Sequence, residues 1–201
     1  GVNKLIDHLP LDIQMHGLNI HVPSGVFNPD AKGTNSSSQV IKHMGDVGNL
    51  KVLDMGCGTG VLGMVALARG ATQAVFADNS LLAQKAVEIN LRANDLQSKG
   101  SFVQSDLFQN IDHEFDLILA NLPILNELWS ADQSNGTYDL VYTFLEQFTG
   151  YLNENGRVLL TWASFEPLQP VVQKLQSLGY TYDLKTETKL GIQWHLIEIS
   201  L

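Results

Sequence analysis

The first clear pattern along the chain is an alternation of apolar and polar residues in DIQMHGLNIHV (Asp12 to Val22), centred on Gly17. Period-two patterning broken by a glycine predicts a short hairpin. PSGVFNPDAKGTNSSSQ (Pro23 to Gln39) is rich in Gly, Pro, Ser and Asn and predicts a loop passing into a helix near Gln39 to Met44. It precedes a glycine-rich turn, which favours a binding loop over a flexible linker.

From Lys51 the pattern changes to blocks that alternate strand and helix. KVLDM, QAVFAD, SFVQSD, FDLILAN and GRVLLTWA read as five strands, and YTYDLKTET and IQWHLIEIS as a closing pair. Between them lie helical stretches. GVLGMVALARG carries Leu62, Ala66 and Arg69 at helical spacing and stops at Gly70. SLLAQKAVEINLRAND puts Leu82, Ala86, Ile89 and Ala93 on one face. Further helices are expected over Tyr138 to Leu152 and in PLQPVVQKLQSLG. Continuous Val/Ile/Leu runs mark strands covered on both faces, as in a parallel sheet. The expected fold is therefore α/β: a Rossmann-like, doubly wound, mostly parallel seven-stranded sheet with a short N-terminal hairpin. No internal repeat or heptad pattern is visible.

Composition narrows the class. The chain has 201 residues, 44% hydrophobic and 16% charged, which suits one globular domain with a sizeable core. A net charge of −9 makes bulk electrostatic attraction a poor source of affinity for nucleic acid, although a local basic patch is compatible with it. No apolar run is long enough to cross a bilayer, and the start lacks the charged-then-apolar layout of a signal peptide. Cys57 is the single cysteine, so an intramolecular disulfide is impossible and a reducing, cytoplasmic setting is expected. His8, His16, His21, His43, His113 and His195 show no metal-ligand spacing, and no metal site is expected.

The candidate chemistry sits at strand ends. VLDMGCGTG ends an apolar run with Asp54 and then Gly56, Gly58 and Gly60. Glycines there let the backbone turn sharply and approach a ligand. Asp78 closes the second strand, where a carboxylate can accept both hydroxyls of a ribose. Asp54 is out of place beside a pyrophosphate, which wants a bare helix N-terminus, but suits the cationic side of a methionyl group. Asp106 offers an acceptor for an adenine amino group, and Leu107 a cover for the ring. Each acid also has a plain alternative, Asp54 as a helix cap and Asp106 as a turn former. Asp54, Asp78, Asp106 and Asn121 fall at four successive strand ends, where open sheets of this class bind ligands.

VLDMGCGTGVLG, VFADNS, QSDLF and ANLPI together resemble the class I S-adenosylmethionine-dependent methyltransferases, over about Ser24 to the C-terminus. The resemblance implies an antiparallel last strand inserted near the sheet edge. It places Asp54 and the turn Gly56, Cys57, Gly58, Thr59 and Gly60 near the methionyl part of S-adenosylmethionine. Asp78 and the adjacent Asn79 would serve the ribose, and Asp106 with Leu107 the adenine. The loop before the fold is similar to that of the small-domain subgroup, which includes RNA guanine-N2 and release-factor glutamine enzymes. By that likeness Phe27, Thr34 and Ser38 lie near the cofactor. The resemblance implies that residues 1–45 form a hairpin, loop and helix covering the cofactor site, and 46–201 the methyltransferase domain.

NLPI, Asn121 to Ile124, stands where this family carries Asn-Pro-Pro-Tyr/Phe, which implies catalytic roles for Asn121 and Pro123 and also a place for Asn121 among the cofactor-binding residues. An Asn side-chain oxygen that accepts from a planar nitrogen turns the nitrogen lone pair toward the methyl donor, and orientation then does most of the work. Here Leu122 replaces the first Pro and Ile124 the ring. Ile can wall a pocket but cannot stack. Trp129 or Phe27 is a candidate for the missing ring, and Glu127 for ordering the acceptor. The expected activity is N-methylation of an RNA or protein acceptor by in-line transfer. A small-molecule acceptor, or a weakly active cofactor-binding domain of a larger assembly, stays open beside it; a nicotinamide oxidoreductase is disfavoured by the glycine spacing with Asp54. The oligomeric state leaves no trace in the sequence.

Overall fold

The computed structural model describes residues 6–124 and 136–201; Glu127 and Trp129 lie outside the described residues. The hairpin forms from β1 (Leu11–Met15) and β2 (Leu18–Val22). Its two turn residues, His16 and Gly17, both take positive φ, as a tight turn matched to strand twist requires. After the Pro23 to Asn35 loop comes α1 (Ser36–His43), three residues longer at its start than the side-chain pattern indicated. The serines are poor interior helix formers, but here they occupy the first turn. Gln39 N–H donates to Asn35 C=O at 3.0 Å, one of the bonds that open the helix.

The main sheet is built from β3 (Lys51–Met55), β4 (Gln73–Asp78), β5 (Gly100–Gln104), β6 (Phe115–Ala120), β7 (Leu152–Ala163), β8 (Thr181–Lys189) and β9 (Ile192–Ser200). Its order is β5-β4-β3-β6-β7-β9-β8. The first five pair in parallel, while β9 is antiparallel to both β7 and β8. The last strand is thus inserted one position from the edge. The connecting helices are α2 (Val61–Ala68), α3 (Leu81–Ala93), α4 (Gly136–Gln147) and α5 (Gln169–Leu178). A short 3-10 turn (Phe148–Tyr151) completes the expected stretch after α4.

The apolar strands are continuous because each feeds two cores. Leu117, Leu119 and Leu159 pack on one face with α1, α2 and the hairpin. Ile118, Ala120, Val158 and Leu160 pack on the other with α4 and α5. Two strand ends differ from the pattern. β7 starts at Leu152 rather than Gly156, since Leu152 already pairs with Phe115 before an irregularity restores register at Leu117 and Arg157. β5 stops at Gln104 because Leu107 takes φ +46°, a turn held by Ser105 Oγ donating to Leu107 C=O at 2.6 Å.

The hairpin is fastened to α3 by side chains that imitate a strand. Asn90 Oδ1 accepts from His21 N–H (2.6 Å) while Asn90 Nδ2 donates to His21 C=O (2.9 Å). One turn on, Asn94 repeats the pair with Asn19, at 2.9 and 2.8 Å. Residues four apart on a helix share a face, so the two carboxamides line up along the edge of β2. Asn90 is fully buried, and its Nδ2 also donates to Thr59 C=O at 3.0 Å. Replacing it by leucine keeps the approximate volume but leaves buried backbone groups of residues 21 and 59 without partners. Asn90→Leu is expected to lower unfolding free energy by about 1–3 kcal/mol in denaturant titration. An unchanged midpoint would show that these bonds add nothing net.

Candidate functional site

Strand order reverses between β3 and β6, and a cavity of about 440 Å³ opens over the carboxyl ends of the strands there. It is lined from β5 by Asp106 and Leu107, from β4 by Asp78 and Asn79, and from β3 by Asp54 and the glycine turn. From β6 it takes Asn121 to Ile124, and beyond them Phe165 and Trp194.

The glycine turn is rigid because its amides are already engaged. Gly56 and Cys57 both donate to Ala77 C=O, at 2.8 and 3.1 Å, and Gly60 to Cys57 C=O at 2.8 Å. Gly58 donates to Asp78 Oδ2 at 3.0 Å. Gly56, Gly58 and Gly60 all take positive φ. A phosphate-binding turn presents amides to its ligand; here four of them are already bonded, those of Gly56, Cys57 and Gly60 to main-chain carbonyls and that of Gly58 to the Asp78 carboxylate. The turn therefore suits a ligand with no phosphate.

Asp54 is buried at the end of β3, and its Oδ2 accepts from Gly63 N–H in the first turn of α2 at 2.9 Å. It does act as a helix-end acceptor, and it also lines the cavity. Burial raises its carboxyl to about 7, against the lowering effect of the Gly63 bond, and the charge of Asp78 adds to the rise. Such a group gains most from a cationic neighbour. Asp78 is also raised, chiefly by burial. Its two oxygens each accept one backbone amide, from Gly58 and from Ser80 at 2.9 Å, which leaves each oxygen capacity for a hydroxyl. Burial pushes the Cys57 thiol well above its ordinary value, so it stays protonated and unreactive.

Across the switch point, Asn121 is gripped from two elements. Thr161 Oγ1 on β7 donates to Asn121 Oδ1 at 2.7 Å, and Asn121 Nδ2 donates to Ser37 Oγ on α1 at 3.4 Å. Thr161 and Ser37 are both buried. This fixes the plane of the carboxamide and leaves its oxygen a second lone pair. The loop before α1 contributes Val26, Phe27, Pro29 and Thr34 to the wall.

Two of the expected contacts fall elsewhere. Ser38 is exposed and does not line the cavity; on the helix that begins at Ser36, the neighbouring Ser36 and Ser37 face it instead. Gly60 lies beneath the turn, outside the lining. A Cβ there would come 3.0 Å from Met64 and Val87 and 3.1 Å from Phe76, so its role is close packing at positive φ. The residues that sequence reasoning missed are Ser37, Thr161, Phe165 and Trp194. Thr161 left a signal, a lone polar residue inside the apolar run LLTWA. Trp194 left none, because its place depends on the register of β9 against β7. Among the described residues no cluster of three or more His, Cys, Asp or Glu is placed to hold a metal, and no helix is long and apolar enough to cross a membrane.

Known proteins share the sequence family and the fold. A family model described as "Methyltransferase small domain" matches residues 17–192. A provisionally named protein N5-glutamine methyltransferase of Methanocaldococcus jannaschii is 27% identical over 90% of this chain and 94% of its own length. The ribosomal RNA small subunit methyltransferase C of Haemophilus influenzae is 31% identical over 62% of this chain, but that match spans only 36% of the relative. Among solved structures, the Thermus thermophilus 16S rRNA N2 G1207 methyltransferase, in complex with AdoMet and guanosine, superposes with a TM-score of 0.72 at 20% identity. That match covers 96% of this chain and 50% of that one.

The buried Asp54 makes stability depend on pH. Its folded value of about 7 lies above the ordinary 3.8, so the folded protein holds this proton more tightly than the unfolded chain. The stabilising effect of the protonated form is complete below about pH 4 and is lost as pH rises through about 7, with a slope of up to about 1.4 kcal/mol per pH unit. Asp54→Asn keeps an acceptor for Gly63 without the charge. In denaturant titrations from pH 5 to 7.5 the variant is expected to gain stability relative to the wild type as pH rises. A constant difference would show that the carboxyl titrates normally.

Proposed function

This chain belongs to the methyltransferase small-domain family, whose methyl donor is S-adenosylmethionine, and on that premise we propose that it methylates the side-chain amide nitrogen of a protein acceptor. The observation that carries the reading is the pair of fixed groups on either side of the switch point: Asp54 with its saturated glycine turn, and Asn121 held by Thr161 and Ser37.

The residues fit that donor. Asp54 offers a carboxylate on the methionyl side, where no turn amide waits for a phosphate. Asp78 and Asn79 would hold the ribose, and Asp106 with Leu107 the adenine, with Cys57, Gly58 and Thr59 along the backbone side and Phe27 and Thr34 from the loop. Bound there, the cofactor supplies an electrophilic methyl group. Asn121 Oδ1 would accept from the acceptor's amide N–H, holding the nitrogen in line, and Pro123 would stiffen the turn behind it. The nitrogen–methyl bond would form as the sulfur–methyl bond breaks and S-adenosylhomocysteine leaves; the amide proton, held until then by Asn121 Oδ1, would pass to solvent, so no strong base is required at the start. Leu122 and Ile124 keep water from the path.

A protein acceptor is favoured over RNA by the net charge of −9 and by the glutamine relative, which this chain matches over nearly its whole length. The RNA relatives are two to three times as long as the part matched here. A structural neighbour that holds guanosine keeps a guanine-N2 acceptor as the second reading.

The test is incubation with labelled S-adenosylmethionine and cell extract, split into protein, RNA and small-molecule fractions. Label in protein is expected; label confined to RNA or to small molecules overturns the acceptor assignment. Asn121→Ala is expected to leave S-adenosylhomocysteine affinity within about twofold while transfer falls by about 10²-fold. Undiminished transfer would remove Asn121 from the chemistry.

A further inference from the structure

The cavity extends past Asn121 along the rim, beyond the strands that carry the cofactor-side acids. Asp106 follows β5, while Asp78 and Asp54 lie at the ends of β4 and β3. Phe165 follows β7, and Trp194 begins β9 on the other side of β6. Thr161 and Ala163 are two apart on β7 and share a sheet face, and Trp194 sits opposite Ala163 in the antiparallel pair. The residue that grips Asn121 and the Trp194 indole are therefore on one face at one end of the sheet.

Three observations single out this end. Phe165 and Trp194 meet edge to face, with ring centroids 5.7 Å apart at 89°, Trp194 buried and Phe165 half-buried, both lining the cavity. Trp194 Nε1 has no hydrogen-bond partner among the described residues, although a buried indole N–H normally finds one. The other such atom is Gln39 Oε1, whose own Nε2 donates to Trp194 C=O at 3.0 Å. Polar capacity without a partner is thus concentrated beside Trp194. The rival ring, Phe27, stands on the loop whose Val26 side chain lies 3.7 Å from where a Gly58 Cβ would be, on the cofactor side of Asn121.

We propose that Phe165, backed edge-on by Trp194, is the aromatic wall against which the acceptor's planar carboxamide is held, in place of the ring absent at Ile124. The assignment rests on the amide-methylation reading above. A ring face accepts a flat amide with little loss of freedom, and the unpartnered Trp194 N–H is the donor beside that wall for the amide carbonyl. The wall makes the pocket selective for a primary amide over an aliphatic side chain of the same length, because only the amide satisfies the indole donor. Phe165 and Trp194 are specificity-determining residues; the methyl transfer itself is oriented by Asn121.

The test uses the full chain saturated with S-adenosylhomocysteine and two peptide probes, acetyl-Gly-Gln-Gly N-methylamide and its norleucine counterpart, followed by saturation-transfer NMR. The wild type is expected to bind the glutamine peptide at least tenfold more tightly than the norleucine one. Phe165→Leu is expected to lose at least tenfold of that affinity, Phe165→Tyr to keep it within about threefold, and Trp194→Phe to lose about threefold to tenfold of the discrimination. Calorimetric affinity for S-adenosylhomocysteine should stay within about twofold in all three. Equal peptide binding by wild type and Phe165→Leu overturns the wall, as does a loss that follows Phe27→Leu or Trp129→Leu instead. A wild type that ignores the glutamine peptide also overturns it. Failures of the underlying reading are separable: a protein that methylates the peptide while Phe165→Leu matches it loses only the wall, whereas label found solely in RNA removes the amide reading too.

Discussion

Two buried or half-buried carboxylates bonded to main-chain amides are the constraint on which the site depends. Asp54 reaches across the turn to Gly63 and Asp78 reaches back to Gly58, so the glycine loop is held at both its far end and its middle. The bonds explain why the acids stand where desolvation works against them. An acid at the end of a buried strand is costly unless amides or a cation meet it, and here the amides meet part of each carboxylate and leave the remainder facing the cavity. The same bonds consume the donors that would otherwise attract an anion. One arrangement thus stiffens the turn and selects the charge type of the ligand.

From that turn the rim divides into two working halves. β5, β4 and β3 carry acids suited to a nucleoside with a cationic tail. β6, β7 and β9 carry a fixed carboxamide and a pair of aromatic rings. The seam between them is the place where strand order reverses, so a donor held on one side and an acceptor on the other, as proposed, would meet over a gap that the topology itself provides. Asn121 sits at the seam and takes its support from β7 and α1 rather than from the cofactor half. Its orientation is therefore set by the protein and not by the donor.

Local pattern carried most of the fold into the sequence. The runs VLDM, VFAD and LILAN are legible because a doubly covered strand must be apolar throughout, and the glycines after VLDM because positive φ excludes other side chains. Asp54, Asp78 and Asn121 were readable as residues at strand ends. What stayed hidden needed register. Trp194 meets Phe165 only because β9 is inserted antiparallel with Trp194 opposite Ala163. Ser37 rather than Ser38 faces the cavity because the helix starts at Ser36, a phase that the six consecutive polar residues Thr34 to Gln39 do not reveal. The face expected from Leu82, Ala86, Ile89 and Ala93 does not include Asn90; α3 instead buries Ala83, Val87, Asn90 and Leu91 and leaves Leu82 and Ile89 exposed, because the hairpin strand it receives lies nearly seventy residues upstream.

The side-chain fastening of the hairpin has a consequence for how such a protein changes over time. Main-chain pairing would lock the N-terminal segment to the sheet, so that any insertion would shift register through the core. Two carboxamides on one helix face impose no such lock. The loop from Pro23 to Asn35 can therefore change in length without shifting the main sheet, provided the asparagines still receive β2 and its Leu18, Ile20 and Val22 still fill the core.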